Sequence, residues 1–323
     1  MNTLRLGELC AGYGGLGMAI EEVFNATTAW FSEYDAAPSK ILAHHWPDVP
    51  NYGDMTKIDW AAIEPVDIIS GGTPCQDLSA AGRRAGMNEG TRSNLWVQMR
   101  EAIAIQRPRY VVWENVRGAY SATAASDLEQ CPGCMGDAGD GGTVLRALGR
   151  VLGDLSDLGY DAQWRGLRAA DVGACHGRFR VFVLAAHPER VRSKRRGNNA
   201  DLARKARAGE AHSGERKRHG NAADHRQPID WGAHTPAIDR WGAAMGRRAP
   251  APTQPTSQAD GRGLSPKFVE WMMGLPEGWV TDPAIGISRN DQLKALGNGV
   301  VPQQATAALR DMLAAFEQKE MAA

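Results

Sequence analysis

The chain has 323 residues, with 37 Lys or Arg against 37 Asp or Glu, and 5 cysteines. That length holds one large domain plus a small one, or two comparable ones, and buries enough surface to fold without a disulfide or a structural metal. No apolar run approaches the roughly 20 residues that span a bilayer, and an odd cysteine count with no signal-peptide pattern at the start predicts a reducing cytoplasm. A net charge of zero excludes a nucleic-acid partner only if the charge is evenly spread.

In chain order, Leu4–Cys10 is an apolar run, read as a strand, that ends in Ala11-Gly12-Tyr13-Gly14-Gly15-Leu16-Gly17 and passes into a helical pattern from Met18 to Phe24. Thr27–Ser32 reads as a second strand, closed by Glu33-Tyr34-Asp35. Val66–Ser70, Tyr110–Trp113 and Val181–Leu184 are further short runs rich in β-branched and aromatic residues, with helical stretches over Leu95–Ile105 and Val144–Leu158. Runs apolar on both faces and separated by helices indicate a parallel sheet covered on both sides, a doubly wound α/β domain. From about residue 187 the pattern fails: Trp231 and Trp241 stand isolated and Pro250–Pro255 reads as a linker. Apolar structure resumes at Leu264, and Leu309, Met312, Leu313 and Phe316 share one face of a closing helix over Ala307–Gln318. The predicted division is a large domain over 1–186, a small irregular one over 187–289, and a segment over 290–323 that returns to the first.

The charge is unevenly spread. Between His187 and Arg262 lie 16 basic residues, Arg195, Arg196, Lys217 and Arg218 among them, and 8 acidic ones, so this stretch carries +8 and the remainder −8. Such a block can supply phosphate contacts; a solvated insertion has the same composition.

The chemistry-bearing residues gather at strand ends. Gly12-Tyr13-Gly14-Gly15-Leu16-Gly17 fits G-x-G-x-x-G between a strand and a helix, where glycines let a ligand approach the backbone beside the positive end of the helix dipole. Glu33 follows Gly12 by 21 residues, at the end of the next strand, where a carboxylate can accept hydrogen bonds from ribose hydroxyls. Together they point to an adenosine-containing cofactor, either a nicotinamide dinucleotide or S-adenosylmethionine; a tight turn without a ligand is the competing reading. Gly71-Gly72-Thr73-Pro74-Cys75-Gln76 puts Cys75 on a Gly/Pro-shaped loop at the carboxyl edge of the sheet, where a thiol is exposed and ionised more easily than in a core strand. A lone cysteine is otherwise a small buried hydrophobe. Across the same edge the Tyr110–Trp113 run leads into Glu114. A thiolate opposite a carboxylic acid is a pair for covalent catalysis, and hydride transfer has no use for that cysteine.

Read in order, the chain resembles the DNA (cytosine-5) methyltransferase family of bacteria and phages. The matching blocks are Glu8–Gly15, Ser32–Asp35, Gly53–Thr56, Gly72-Thr73-Pro74-Cys75-Gln76-Asp77-Leu78-Ser79, Arg92–Leu95, Glu114-Asn115-Val116, Arg178-Phe179-Arg180 and Gly297-Asn298-Gly299-Val300-Val301. They cover nearly the whole chain except the basic block, which falls where this family carries its variable target-recognition region. The resemblance implies a Rossmann-like S-adenosylmethionine-dependent methyltransferase fold with a catalytic and cofactor-binding domain and a small target-recognition domain. It implies methyl transfer to carbon 5 of a cytosine flipped out of duplex DNA.

By the same resemblance, Cys75 adds to carbon 6 of the cytosine, Glu114 holds its nitrogen 3 and amine edge, and Arg178 and Arg180 orient the base carbonyl, nearby phosphates and Glu114. Gly12, Tyr13, Gly14 and Gly15 line the methionine end of the cofactor, Glu33 the ribose and Asp54 the adenine amine. Tyr34 and Met55 cover the adenine faces, Pro74 is a further cofactor contact, and Asn298 closes the carboxylate end. Gln76, Ser79, Arg83 and Arg84, on the loop after the nucleophile, and Arg195, Arg196, Lys217 and Arg218 in the basic block are the implied DNA contacts. The implied setting is a cytoplasmic monomer acting on double-stranded DNA, with a companion restriction endonuclease as a further partner and no metal. The sequence departs from the family at four places: Cys10 stands for the usual Phe, Tyr34 for Trp, His176 for Gln and Gly299 for Ser. Cys131-Pro132-Gly133-Cys134 is half of a zinc pattern with no second half at the usual spacing. A nicotinamide-dependent oxidoreductase and a methyltransferase-like module that binds DNA without modifying it are the competing classes; the first leaves Cys75 idle, the second requires a lost nucleophile or acid. A branch of the family that acts on transfer RNA carries Cys-Phe-Thr, which does not occur here.

Overall fold

Alternation along the central strands explains the layered architecture of the computed structural model, which describes residues 3–73, 95–120, 123–124, 145–191, 229–255 and 261–321. Six strands form one sheet: β1 (Leu4–Leu9), β2 (Ala26–Ser32), β3 (Ile68–Gly72), β4 (Tyr110–Val116), β5 (Asp161–Arg168) and β6 (Phe179–Ala186). Their spatial order is β2-β1-β3-β4-β6-β5; β1 to β4 are parallel, and β6 runs antiparallel to both β4 and β5. Ile68, Val112, Phe182 and Leu184 point to one face, against α1 (Gly15–Phe24) and the C-terminal helix (Pro302–Met321). Ile69, Val111, Trp113 and Val183 point to the other, against α3 (Leu95–Gln106) and α4 (Ala147–Asp157). A strand buried on both faces needs apolar residues at successive positions, which is why these runs were visible in the sequence.

Three segments differ from their sequence reading. The strand expected over Val66–Ser70 lies at Ile68–Gly72, because the parallel neighbours supply ladder partners to the glycines, Leu9 for Gly71 and Glu114 for Gly72. The edge strand β5 escaped notice: Asp-Ala-Gln-Trp-Arg-Gly-Leu-Arg carries no buried face, and its place is set by pairing with β6. Within Pro250–Pro255, Thr253–Pro255 pairs antiparallel with Arg262–Leu264 instead of serving only as a linker.

The region read as irregular contains α5 (Thr235–Met245), and beyond it come α6 (Pro266–Met272), α7 (Arg289–Asn298) and the C-terminal helix, labelled α8. Trp241 and Trp271 are fully buried, the indole N–H of Trp241 donating to the Trp271 carbonyl at 2.9 Å. They share one apolar cluster with Tyr13, Leu296 and Val301 of the flanking segments. Glu270, also buried, accepts N–H groups of Gly278, Val280 and Thr281 at 2.8–2.9 Å and so ties down the turn after α6. Among the described residues no helix is long and apolar enough to cross a membrane.

Candidate active site

Strand β1 is flanked by β2 on one side and β3 on the other, so the chain order reverses there; crevices at such switch points receive ligands in open α/β sheets. A cavity of about 810 Å³ lies at this edge, lined by the carboxyl ends of β1 to β4, helix α2 (Ala36–His45) and the end of α7. Sites for whole cofactors span roughly 300–1,000 Å³.

At one end of the cavity stand the residues read as cofactor contacts. The Glu33 carboxylate is buried and accepts the N–H of Gly12 through Oε2 and that of Asp35 through Oε1, each at 2.8 Å. Asn51 clasps its backbone: the Glu33 N–H donates to Asn51 Oδ1 at 2.9 Å, and Asn51 Nδ2 donates to the Glu33 carbonyl at 3.1 Å. Burial pushes the Glu33 carboxyl above its ordinary value, against the pull of the two N–H groups. A carboxylate has about four acceptor sites, so lone pairs remain for a diol. Asp54 opens a short 3-10 turn (Met55–Lys57); its Oδ1 accepts the N–H of Thr56 at 3.1 Å and its hydroxyl at 2.7 Å, with Lys57 Nζ 3.3 Å from Oδ2. These donors hold the Asp54 carboxyl below the usual range, ionised and ready to accept an amine. Met55 is buried, whereas Tyr34 is 75% exposed at the mouth. The Cys10 thiol packs 3.8 Å from the Met55 sulfur, and burial with nearby carboxylates pushes it up to about 12, so it stays protonated.

At the other end lies Glu114, the fifth residue of β4. Its carboxyl is buried, with Oε1 2.8 Å from Arg180 Nε. Burial raises its proton affinity, while the guanidinium groups of Arg180 and Arg178 oppose the rise. The register pairs Glu114 with Gly72, where a Cβ would come within 2.9 Å of Glu114 Oε2, so the carboxyl stands against bare backbone. Thr73 follows. Its hydroxyl accepts the Trp113 indole N–H and the Asn115 amide, each at 3.1 Å, and its carbonyl accepts Asn115 at 3.2 Å. Cys75 is two residues beyond this anchored threonine, a chain reach of roughly 7 Å.

The cavity therefore brings together Gly12, Gly15, Glu33, Tyr34, Asp54, Met55, Glu114, Arg180 and Asn298. Two loop residues expected at the cofactor face elsewhere. Tyr13 is fully buried behind the cavity wall with its hydroxyl on the Val300 carbonyl at 2.7 Å. Gly14 sits against Trp46 with φ of 80°, a left-handed conformation that closes the turn into α1. Arg178 donates to the Gly299 carbonyl at 2.7 Å, so it braces the returning segment. Pro74, Cys75, Gln76, Ser79, Arg83, Arg84, Arg195, Arg196, Lys217, Arg218, Cys131 and Cys134 lie outside the described residues.

Four polar residues of the site carried no role in the sequence reading. Glu8 was visible as a charge inside an apolar strand; it is buried in the cavity wall and accepts the Gly17 N–H at 3.0 Å. Thr73 and Asn115 adjoin recognised blocks, whereas Asn51, 18 residues from Glu33, had no local signal.

Residues 4–228 match the family model of C-5 cytosine-specific DNA methylases. The chain belongs to that family. The chain is 32% identical over 218 residues to a DNA N-6-adenine-methyltransferase of Escherichia phage P1, a match covering 58% of this chain and 29% of that protein. It is 28% identical over 191 residues to the type II methyltransferase M.NlaIV of Neisseria lactamica (58% and 42% covered) and 32% over 197 residues to the orphan methyltransferase M.SPRI of Bacillus phage SPR (60% and 40%). The chain thus spans less than half the length of each of these relatives. Two solved structures share its fold: the S. pombe Dnmt2 methyltransferase, with a TM-score of 0.56 at 14% identity (94% and 97% covered), and an E. coli prophage DNA modification methyltransferase, with 0.55 at 15% (96% and 99%). The family's cofactor is S-adenosylmethionine, and the groups present suit it: Glu33 to accept from a diol, Asp54 to accept from an exocyclic amine, and glycine backbone at the N-terminus of α1.

Proposed function

We propose that this methylase transfers a methyl group to carbon 5 of a cytosine flipped out of duplex DNA, with Cys75 as nucleophile. The observation that carries the reading is that Glu114, paired with Arg180, shares one cavity with Glu33 and Asp54, beside the strand end that leads to Cys75. The Cys75 thiolate adds to carbon 6, and the ring's electron pair moves to carbon 5, which becomes nucleophilic. Glu114, whose burial favours the protonated form, donates to ring nitrogen 3 and stabilises the charge that develops there. Arg180 holds that carboxyl in place. S-adenosylmethionine supplies the electrophilic methyl. Loss of the carbon 5 proton restores the double bond as Cys75 leaves with its electron pair. The target atoms lie inside the base stack, so the base must be extruded at a cost of a few kcal/mol; the +8 stretch from His187 to Arg262 is a source of compensating phosphate contacts. A cytoplasmic monomer, with or without a companion endonuclease, fits this reading.

The test is nucleoside mass spectrometry of duplex DNA incubated with the full chain and S-adenosylmethionine. The expected product is 5-methylcytosine, abolished by Cys75→Ala. Wild-type turnover by Cys75→Ala overturns the covalent route. N6-methyladenine in place of 5-methylcytosine, the chemistry in the name of the phage P1 relative, overturns the substrate base.

A further inference from the structure

Tyr13 occupies a slot that exists only because two glycines flank it. On one side, a Cβ at Gly15 would come within 2.5 Å of both Tyr13 Cε2 and the Val300 carbonyl oxygen. On the other, a Cβ at Gly299 would overlap the ring at Cε1, Cζ and Cδ1. The backbone of Gly299 is extended, with φ of −75° and ψ of −177°, a conformation open to any residue. Glycine is needed there for space alone. The ring is fully buried, and its hydroxyl donates to the Val300 carbonyl at 2.7 Å. Its own carbonyl accepts the Trp279 indole N–H at 2.9 Å, and the Trp279 ring stacks on His45 at 3.6 Å. The glycine loop, the turn after α6 and the segment after α7 therefore meet on one residue, the turn through its backbone carbonyl and the last segment through its side chain.

That segment is part of the cavity wall: Gly297, Asn298, Gly299 and Val300 all line it. The Gly299 carbonyl also receives Arg178 at 2.7 Å, just before β6 and two residues ahead of the Arg180 that pairs with Glu114. We infer that Tyr13 is a positioning residue for the cofactor, a buried wedge matched to Gly299 that sets the spacing between the glycine loop and the 297–300 wall. It touches neither cofactor nor base. Through Gly299 and Arg178 the same wedge sets the registry of the wall against the strand that carries Arg180. Any side chain at position 299 would overlap a tyrosine ring held as at position 13, so the two residues are a matched pair.

The inference rests on the cofactor named above, and binding separates the two. The full chain and four variants are titrated calorimetrically with S-adenosylmethionine and, separately, S-adenosylhomocysteine, at a temperature well below each variant's melting point. Gly299→Ser is expected to weaken binding about tenfold or more. Tyr13→Phe, which keeps the ring and loses the hydroxyl, is expected to weaken it a few-fold, and Tyr13→Leu about tenfold. Leucine lacks Cε1 and Cζ, the two atoms that a Cβ at 299 would overlap most, and its δ carbons can rotate away from the remaining contact at Cδ1, so Tyr13→Leu combined with Gly299→Ser is expected to return affinity to within about threefold of the parent chain. Unchanged affinity in folded Gly299→Ser and Tyr13→Leu, with only the melting temperature lowered, overturns the inference. So does a double variant whose loss equals the product of the single losses. A parent chain that binds neither compound overturns the methyltransferase reading itself.

Discussion

Glu8 is a carboxyl placed where water cannot reach it, and its replacement by glutamine isolates what that placement does to stability. One oxygen accepts the Gly17 N–H at 3.0 Å, and the other has no hydrogen-bond partner among the described residues. Burial raises its pKa from 4.5 to about 8, with Glu21 and Glu33 adding to the rise and the Gly17 N–H opposing it. Between those values the folded chain holds the proton and the unfolded chain does not, so stability falls as pH rises from 4.5 to about 8 and levels off above. At about 1.4 kcal/mol for each pH unit in that interval, the full effect is on the order of 5 kcal/mol. Glu8→Gln keeps the acceptor for Gly17 and cannot ionise. The assay is thermal or urea unfolding of both chains at pH 5, 6, 7, 8 and 9. Groups that do not feel Glu8 titrate equally in the two proteins, so the difference between the curves reports Glu8 together with its coupling to Glu21 and Glu33. The glutamine chain should gain progressively on the parent as pH rises, by several kcal/mol at pH 9. Parallel curves across that range refute the argument from burial.

Two further changes probe the opposite ends of the cavity. Arg180→Ala leaves the buried Glu114 carboxyl without its 2.8 Å partner. Removing one member of a buried ion pair costs about 3–5 kcal/mol, and adding Glu114→Gln should recover part of that in thermal unfolding; a loss under about 1 kcal/mol for Arg180→Ala would show that the pair is not buried in solution. Glu33→Gln turns an amide NH₂ toward either the Gly12 or the Asp35 N–H, both of which now donate to the carboxylate. Calorimetry should register about a tenfold weaker binding of S-adenosylmethionine, and equal affinity would remove Glu33 from the cofactor site.

Much of this molecule can be read without coordinates. Strands β1, β4 and β6 are apolar on both faces, and a sheet covered by helices on both sides imposes that pattern on the chain itself. Glu33 and Glu114 were legible because they stand at or near the carboxyl ends of parallel strands, at the sheet edge where the fold places ligands. The signal is local, so local reading captures it. Strand β5, the helix around Trp241 and the clasp of Asn51 on Glu33 were not legible, since each depends on a partner far along the chain: β6 for β5, Trp271 for Trp241, and 18 residues of separation for Asn51. Tyr13 marks the boundary between the two kinds of information. The sequence by itself determined that a tyrosine sits in a glycine loop between β1 and α1, and that position alone directs it toward a cofactor. Only the tertiary structure decided that the ring turns away, because the space that admits it is made by Gly299, brought back to the loop by the packing of α7 and α8.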